Sequence, residues 1–333
     1  MNDTARYRLL LCGLGGLTAL LFLLSLGVGP AAIAFSESIR ALFSDQRDAI
    51  ALIMREVRLP RALLGLMIGA TLGLSGAALQ GYLRNPLAEP GLIGISAAAS
   101  LGAVLAIYSG LTAMFALALP LAALAAAVVA VVVVQMLAGL RGGALSIILA
   151  GVAVSSFAAA MTSLALNLSS NPFAAMEIMF WMLGSLTDRS MVHVWLSAPF
   201  MLLGWVMLAM LGRALDALTL GNDTAASMGI DLRRVQFLAV FGTAASVGAA
   251  TAVAGAIGFV GLVVPHILRP LVGSRPSRLL PASALGGASV VLAADIAVRL
   301  IAPERDLKLG VLTAIVGAPF FLWLVYRTRR RLA

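Results

Sequence analysis

Few side chains in this sequence could carry out chemistry, and their spacing does not fit a catalytic or metal site. Cys12 is the only cysteine, and His193 and His266 are the only histidines, so no metal-ligand spacing occurs. The only lysine, Lys308, precedes a leucine, which excludes the phosphate-binding pattern that ends in Gly-Lys-Ser/Thr. We therefore expect no covalent chemistry, no metal, no cofactor and no nucleotide hydrolysis by this chain.

Three arginines offer a different chemistry, the recognition of carboxylates. Arg58 and Arg61 lie around Pro60 at the predicted outer start of one span, and Arg299 follows Asp295 at the spacing of an intrahelical ion pair. Grouped at one outer mouth, their guanidinium groups could bind the carboxylates of a docking partner. The alternative is that they are anchors that hold helix ends at the membrane surface.

The composition specifies the elements that must position these residues. A mean hydropathy of +1.04, with 61% hydrophobic and 11% charged residues, excludes a soluble globular domain. The charge-poor blocks run for about 20 residues, the length that one helix needs to cross a bilayer, whereas barrel strands would be half as long. The sequence predicts an all-α polytopic membrane protein with a single transmembrane domain over residues 1–333.

Apolar blocks between charged residues predict ten transmembrane helices. They lie near residues 8–28, 61–81, 92–109, 113–139, 144–167, 191–212, 235–255, 256–272, 279–301 and 309–326. The first block resembles a signal peptide after Arg6 and Arg8, but its length is that of a span. The stretch from Gln236 to Val264 has no charge and fits either one long helix or two spans.

The distribution of charge favours two spans in that stretch and places both termini in the cytoplasm. With ten spans, 14 of the 23 basic residues and 5 of the 14 acidic residues lie inside, so the inner side carries the whole net charge of +9. This is the asymmetry that the positive-inside rule expects. The basic character therefore reflects topology and does not imply a nucleic-acid partner.

The segment from residue 213 to 236, RALDALTLGNDTAASMGIDLRRVQ, is a polar interruption of this apolar chain. It is too polar to lie in hydrocarbon. Asn222 is typical of a helix start, Gly229 of a helix stop, and Asp231 of the cap of the next span. The pattern predicts a short helix at the cytoplasmic surface that suits docking into another protein, and the alternative is an ordinary loop.

Other segments between spans carry weaker signals. On the inner side, Gln80 and the stiff turn Arg84–Gly91 could constrict a pathway, or they could form a plain helix connection. On the outer side we expect a long polar loop over Glu37–Arg61, a short surface helix within Leu168–Ser190, and a third segment over Ala302–Lys308. No predicted span has a carboxylate in its middle, since Asp295 lies toward an outer end, which leaves a passive pore or a pathway driven by a separate motor.

Seven blocks in order resemble the FecCD-type permeases, the membrane subunits of type II ABC importers for ferric siderophores, haem and cobalamin. They are RLPRALLGLMIGATLGLSGAALQGYLRNPLAEPGLIGIS (58–96), LAGVAVSS (149–156), FWMLGS (180–185), LGNDTAASMGI (220–230), GAIGFVGLVVPHILR (255–269), LLPASALGGASVVLAADIAVR (279–299) and GVLTAIVGAPFFLWL (310–324). The resemblance implies a homodimer of ten-helix subunits, two cytoplasmic ATPase subunits that bind ATP and Mg, and a periplasmic substrate-binding protein.

The same resemblance implies roles for individual residues. Arg58, Arg61 and Arg299 match positions that dock the binding protein, and the cytoplasmic gate corresponds to Asn85, Leu87, Gly142, Gly143 and Ala144. The helix that couples to the ATPase corresponds to Leu220, Gly221, Asn222, Asp223, Thr224, Ala225, Ala226, Ser227, Met228, Gly229 and Ile230. Residues 142–144 lack the hydroxyl groups of a polar gate. The segment Asp306–Gly310 lacks a proline found in many relatives, which favours an iron-chelate branch.

The sequence thus predicts the permease subunit of an ABC importer in the bacterial inner membrane, which moves an iron complex, a ferric siderophore or haem, into the cytoplasm. A cobalamin importer of the same fold is the alternative. Outside this class, an ion-coupled secondary transporter stays open, and a structural scaffold explains neither the polar helix nor the outer arginines.

Overall fold

The computed structural model describes residues 3–29, 31, 33–44, 48–115, 117–139, 143–302 and 307–332. These described residues are helical apart from short connections, and none of them forms a strand. The helices run over Asp3–Gly27 (α1), Phe35–Phe43 (α2), Ala49–Tyr82 (α3), Ile95–Tyr108 (α4), Leu111–Met114 (α5), Ala118–Ala138 (α6), Ala144–Leu168 (α7), Pro172–Met182 (α8), Met191–Ala209 (α9), Gly212–Leu218 (α10), Asn222–Ser227 (α11), Leu232–Ala254 (α12), Val260–Leu268 (α13), Pro276–Ile301 (α14) and Leu309–Leu332 (α15).

Each of the ten predicted spans corresponds to a helix, so the predicted all-α membrane fold is confirmed. Seven helices of the described chain are long and apolar enough to cross a membrane: α1, α3, α6, α7, α9, α12 and α14. The apolar part of α15 is shorter, α4 has 14 residues and α13 has 9. A helix of nine residues extends about 13 Å, less than half of the ~30 Å of hydrocarbon.

The backbone between α12 and α13 is irregular, which confirms that the charge-free stretch is divided in two. Gly255 has φ of 72° and Phe259 has φ of 67°, so the helical path ends at one residue and resumes only after the other. Irregular backbone at membrane depth is tolerated where protein surrounds it. Ala254 is buried, and its carbonyl accepts a hydrogen bond from the Ser185 backbone N–H at 2.8 Å.

The prediction of a polar loop over residues 37–61 is wrong, because most of the described residues in this range are helical. Helix α2 fills its first part, and α3 begins at Ala49, where the Asp48 side chain accepts a hydrogen bond from the Ala51 N–H at 2.7 Å. Met54 is fully buried, so apolar burial on one face outweighs the polar character of the segment. Pro60 therefore lies within a continuous helix, directly after a π-helical stretch over Ile53–Arg58.

The other outer segments fit the predictions where the structure describes them. The surface helix expected within residues 168–190 is α8, and the Asn171 side chain caps it by accepting a hydrogen bond from the Phe173 N–H at 3.0 Å. The third outer segment, expected over residues 302–308, falls largely on residues 303–306, which lie outside the described residues.

Helices α3 and α14 form the centre of the subunit. The apolar window of α3 is 83% buried, against 17% for α1 and 22% for α7, so those two helices face outward. Added Cβ atoms at Gly69 and Gly73 of α3 would overlap the backbone carbonyls of Gly287 and Ser283 of α14. The two backbones therefore touch, as small residues permit at helix contacts in membranes.

Candidate functional site: an outer arginine cluster, an inner turn and a cytoplasmic helix

Asp295 of α14 lies between two of the predicted docking arginines, Arg61 of α3 and Arg299 of α14, on the side predicted to be outer. Its carboxylate binds Arg61 Nη2 at 2.8 Å and Arg299 Nη2 at 2.7 Å. The Asp295 side chain is only 1% exposed. The ion pair predicted between Asp295 and Arg299 is confirmed, and Arg61 joins it from a position 234 residues away in the chain. The structure thus brings these arginines together.

Arg58 and Arg299 also cap the carboxyl end of α1. Arg58 is 3% exposed and donates to the carbonyls of Leu26 at 3.0 Å and Ala31 at 2.6 Å. Arg299 Nη1 donates to the Val28 carbonyl at 2.6 Å. The last carbonyls of a helix lack intrahelical donors and carry partial negative charge, so cations are stabilising there. The sequence gives no signal for this role, because the partners are backbone atoms of a distant segment.

The two capping arginines are therefore engaged inside the subunit. The side chain of Arg299 is 7% exposed and that of Arg61 is 15% exposed, so Arg61 is the most accessible of the three. Docking of a partner at Arg58, Arg61 and Arg299 stays a prediction, with Arg61 as the residue that the geometry favours.

The inner turn after α3 is held by its own side chains. Asn85 Oδ1 accepts a hydrogen bond from the Leu87 N–H at 2.9 Å, and the Asn85 N–H donates to the Gln80 carbonyl at 3.2 Å. Asn85 and Leu87 are half-buried and Ala88 is fully buried. This confirms a compact turn, while its role as a gate stays a prediction.

Gln80 completes the backbone hydrogen bonding of the short helix α13. Pro265 has no N–H, so the Gly261 carbonyl, four residues earlier, has no intrahelical donor. Gln80 Nε2 approaches the carbonyls of Gly261 at 3.4 Å and Leu262 at 3.3 Å, and its Oε1 accepts from Arg269 Nη2 at 2.7 Å. The Gln80 side chain therefore serves α13, and a Cβ at Gly76 one turn earlier would overlap the Gly261 carbonyl.

Glu89 holds the other end of the same helix. Its Oε1 accepts a hydrogen bond from the Phe259 N–H at 2.6 Å, just before α13 begins, where a negative charge is favourable. Burial raises the pKa of Glu89 above its ordinary value, and the hydrogen bond from Phe259 opposes that shift. Glu89 of the inner turn and Gln80 of α3 thus hold α13 at its two ends, through Phe259 and Arg269.

The second predicted gate segment is only partly described. Gly142 lies outside the described residues. Gly143 is exposed directly before α7, and Ala144 is the first residue of that helix. Ala144 packs against the apolar cluster that contains Leu83 and Ala88 of the inner turn. The two gate segments therefore share one packed cluster.

The segment from residue 213 to 236, predicted to be cytoplasmic and named here the cytoplasmic segment, has the local structure that its sequence predicts. Its short helix α11 begins at Asn222, and Gly229 follows with φ of 84°. The Asp231 side chain caps α12 by accepting hydrogen bonds from the N–H groups of Arg233 at 2.9 Å and Arg234 at 3.3 Å. The predicted start, stop and cap are all confirmed.

This segment presents apolar side chains away from the bundle. Leu220 and Met228 flank α11 and are 64% and 61% exposed, whereas Ala225 between them is fully buried. Exposed apolar groups rimmed by polar residues are typical of a protein interaction surface. The segment is attached to the bundle by Asp216, whose Oδ1 accepts a hydrogen bond from the Ser277 N–H at 2.9 Å.

A polar stripe on α7 was missed by the sequence analysis. Ser156, Ser163 and Asn167 are exposed, and their spacing of seven and four residues places them on one face of the helix. Polar groups are costly in hydrocarbon. The stripe therefore favours contact with water or with another protein surface, and helical periodicity of the polar residues could have revealed it.

Comparisons with known proteins agree along the chain. A family model described as the FecCD transport family matches residues 17–327. The Fe(3+) dicitrate transport system permease protein FecD of Escherichia coli is 38% identical, covering 83% of this chain and 86% of that protein. The hemin transport system permease protein HmuU of Yersinia pestis is 33% identical over 99% of both chains. The vitamin B12 import system permease protein BtuC of Klebsiella pneumoniae is 39% identical over 84% of each.

Solved structures show the same likeness. One described as an inward-facing conformation of a metal-chelate type ABC transporter superposes with a TM-score of 0.84 and 31% identity, covering 95% of this chain and 98% of that one. PsaBC from Streptococcus pneumoniae, with a TM-score of 0.52 and 15% identity, shares the fold alone.

Proposed function

Because the chain belongs to the FecCD transport family and is an ABC importer permease, we propose that its cargo is an iron complex, a ferric siderophore or haem, moved from periplasm to cytoplasm. The observation that carries this proposal is the similarity to HmuU, a hemin permease, over 99% of both chains. FecD, a permease for Fe(3+) dicitrate, adds a second relative with an iron cargo. The second candidate is cobalamin, which the similarity to BtuC favours.

The energy for transport comes from separate subunits. The chain has no Gly-Lys-Ser/Thr pattern, so ATP and Mg bind to two ATPase partners and this chain hydrolyses no nucleotide. The exposed Leu220 and Met228 support docking of the ATPase on the segment Leu220–Ile230, which then receives the force of nucleotide binding. The segment lies outside the spans, as such a contact requires.

The working unit contains two copies of this chain in the bacterial inner membrane, with both termini in the cytoplasm. The positive charge of the predicted inner side supports that orientation. The polar stripe of Ser156, Ser163 and Asn167 supports a second copy, because two facing α7 helices would place it along an aqueous pathway. A pathway of small uncharged groups suits a bulky chelate that the periplasmic binding protein has already selected.

Both ends of that pathway have candidate contacts. At the outer end, Arg61 meets a carboxylate of the binding protein, while Arg58 and Arg299 hold the surrounding backbone in place. At the inner end, Asn85, Leu87 and the segment from residue 142 to 144 close the pathway. Ala144 packs against the apolar cluster that also includes Ala88 of the inner turn, which supports a gate in which the two segments move together.

Uptake into proteoliposomes tests the proposal. The complex that co-purifies with this chain is reconstituted with ATP inside the vesicles and its binding protein outside, and ferric citrate, haemin and cyanocobalamin are supplied separately. We expect ATP-dependent uptake of an iron complex. Uptake of cyanocobalamin alone would replace the proposed cargo, and uptake driven by a proton or sodium gradient without ATP would contradict the proposed energy source.

A further inference from the structure

The contacts of Asp216 link the cytoplasmic segment to the outer arginine cluster through one pair of helices. Resting on the proposed function, we propose that α3 and α14 move as one rigid body when the ATPase acts on the segment, and that Asp216 is the positioning residue that passes the movement to this pair. Contacts fix the α3–α14 pair at three positions along its length: near its cytoplasmic ends, in its middle and on its outer side.

Near their cytoplasmic ends, both helices are in contact with the cytoplasmic segment. The Asp216 carboxylate accepts the hydrogen bond from the Ser277 N–H, in the first turn of α14. One residue earlier, Leu215 is fully buried, and a Cβ at Gly81 near the end of α3 would lie 3.2 Å from its Cδ1 atom. A displacement of α10 is therefore applied to the adjacent ends of α3 and α14 together.

At the middle level, the pair has no room to slide. Gly69 and Gly73 lie against the backbone of Gly287 and Ser283, with no side chain between the two helices. Packed interiors transmit displacement because they have little free volume. Relative sliding of one helix past the other would drive backbone atoms into each other.

On the outer side, an ion pair joins the two helices. Arg61 of α3 binds Asp295 of α14, whose side chain is almost fully buried, and Arg299 joins α14 to the end of α1. Ser277 and Asp295 are separated by 18 residues of one helix, about 27 Å at 1.5 Å per residue. Pro281 lies between them and has no N–H for the Ser277 carbonyl, but the backbone contact of Ser283 and Gly287 with α3 follows directly and holds this part of α14 in place. The residue that anchors the segment and the residue that organises the outer cluster therefore lie at opposite ends of one helix.

The pair also carries the inner turn. Helix α3 leads directly into the turn that contains Asn85, and Glu89 of that turn holds α13. One movement of the pair would thus shift the outer cluster and the inner gate at the same time, which is the relationship that alternating access needs.

A spin label at the outer end of α14 tests the inference. Leu300 is 64% exposed, so Leu300→Cys in a Cys12→Ser background provides one label in each copy of the assembled complex. The distance between the two labels is measured by pulsed EPR without nucleotide and after trapping with ATP and vanadate. We expect a shift of several ångströms in the otherwise unchanged chain.

Variants at Asp216 separate transmission from simple helix capping. Asp216→Ala removes the acceptor, and we expect the ATP-dependent shift and the uptake per ATP hydrolysed to fall at least fivefold while ATP hydrolysis continues. Asp216→Asn keeps an oxygen that can accept from Ser277 and should restore both. The control Asp3→Ala removes an exposed carboxylate that binds Arg278 of α14. It should leave the distance shift and the uptake per ATP unchanged.

The outcomes are distinguishable. A full distance shift and full coupling in Asp216→Ala would overturn the inference, as would no shift in a complex that transports with ATP. Two results in the chain with native Asp216 would instead overturn the proposed function, and the inference with it. One is the absence of any measurable distance between two labels, and the other is uptake without ATP.

Discussion

The Glu89 carboxylate and the Phe259 backbone N–H lie 2.6 Å apart and join the inner turn to the start of α13. Glu89→Ala leaves this part-buried N–H without its acceptor, which costs up to about 1–3 kcal/mol. We expect a lower unfolding temperature, measured by tryptophan fluorescence in detergent, whereas Glu89→Gln keeps an acceptor and should be at least as stable as the native chain at neutral pH.

The pH dependence of that difference follows from the raised pKa of Glu89. The folded state binds more protons than the unfolded state between the ordinary and the raised pKa, so the contribution of Glu89 to stability falls as pH rises through this window. The advantage of Glu89→Gln should therefore shrink as pH is lowered. An advantage that grows on acidification would contradict this assignment.

Removal of the Asp295 carboxylate should strongly reduce the stability of the folded protein. Asp295→Ala leaves Arg61 and Arg299 without their buried counter-charge, and breaking such a pair costs about 3–5 kcal/mol. We expect a strongly reduced unfolding temperature or loss of folded protein in detergent extracts. Asp3→Ala, which removes an exposed ion pair, should cost less than about 1 kcal/mol. Equal effects of the two changes would contradict the described burial.

The two roles of the outer arginines can be separated. Arg61→Gln should weaken binding of the periplasmic protein to the permease in nanodiscs and reduce the salt dependence of its association rate. Arg58→Gln should lower stability, since its guanidinium serves the carbonyls that end α1, but should leave docking intact in the folded fraction. Unaltered docking in Arg61→Gln would remove the proposed contact.

The backbone contact between α3 and α14 predicts intolerance of a single methyl group. Gly73→Ala places its Cβ on the Ser283 carbonyl, and we expect loss of folded protein or a large fall in unfolding temperature. Gly15→Ala in α1 meets no atom within 4 Å, so it should be neutral or slightly stabilising through its higher helix propensity. Similar stability of the two variants would show that the helices are farther apart.

The exposed leucine of the cytoplasmic segment predicts a binding effect without a stability effect. Leu220→Ser should reduce the amount of ATPase that co-purifies with the permease while its unfolding temperature stays the same. Leu271→Ser, at a leucine of similar exposure outside this segment, is the matched control and should retain the ATPase. Retention of the ATPase by Leu220→Ser would contradict docking at this position.

Sequence alone predicts the features that depend on local pattern. The helix start at Asn222, the cap at Asp231, the stop at Gly229 and the ten apolar blocks all follow from short-range rules, and the structure confirms them. The shortness of α13 was not predicted, because its apolar residues and those of the irregular stretch before it read together as one span. Glycine at 255 and proline at 265 were the available signals.

Features that depend on distant partners could not be predicted in this way. Arg61 and Asp295 are 234 residues apart, and Arg58 binds carbonyls whose position no side-chain pattern encodes. Long-range packing therefore decides which of the predicted arginines are accessible.

The missing N–H of Pro265 has a mechanical consequence for the short helix. Sharp bends in helices occur where a backbone hydrogen bond is missing, as at proline, and here the side-chain amide of Gln80 stands in for the bond at Gly261. Bending at this point would lengthen that side-chain contact of 3.4 Å and break no backbone hydrogen bond. The shape of the short helix therefore depends on one glutamine of the neighbouring helix.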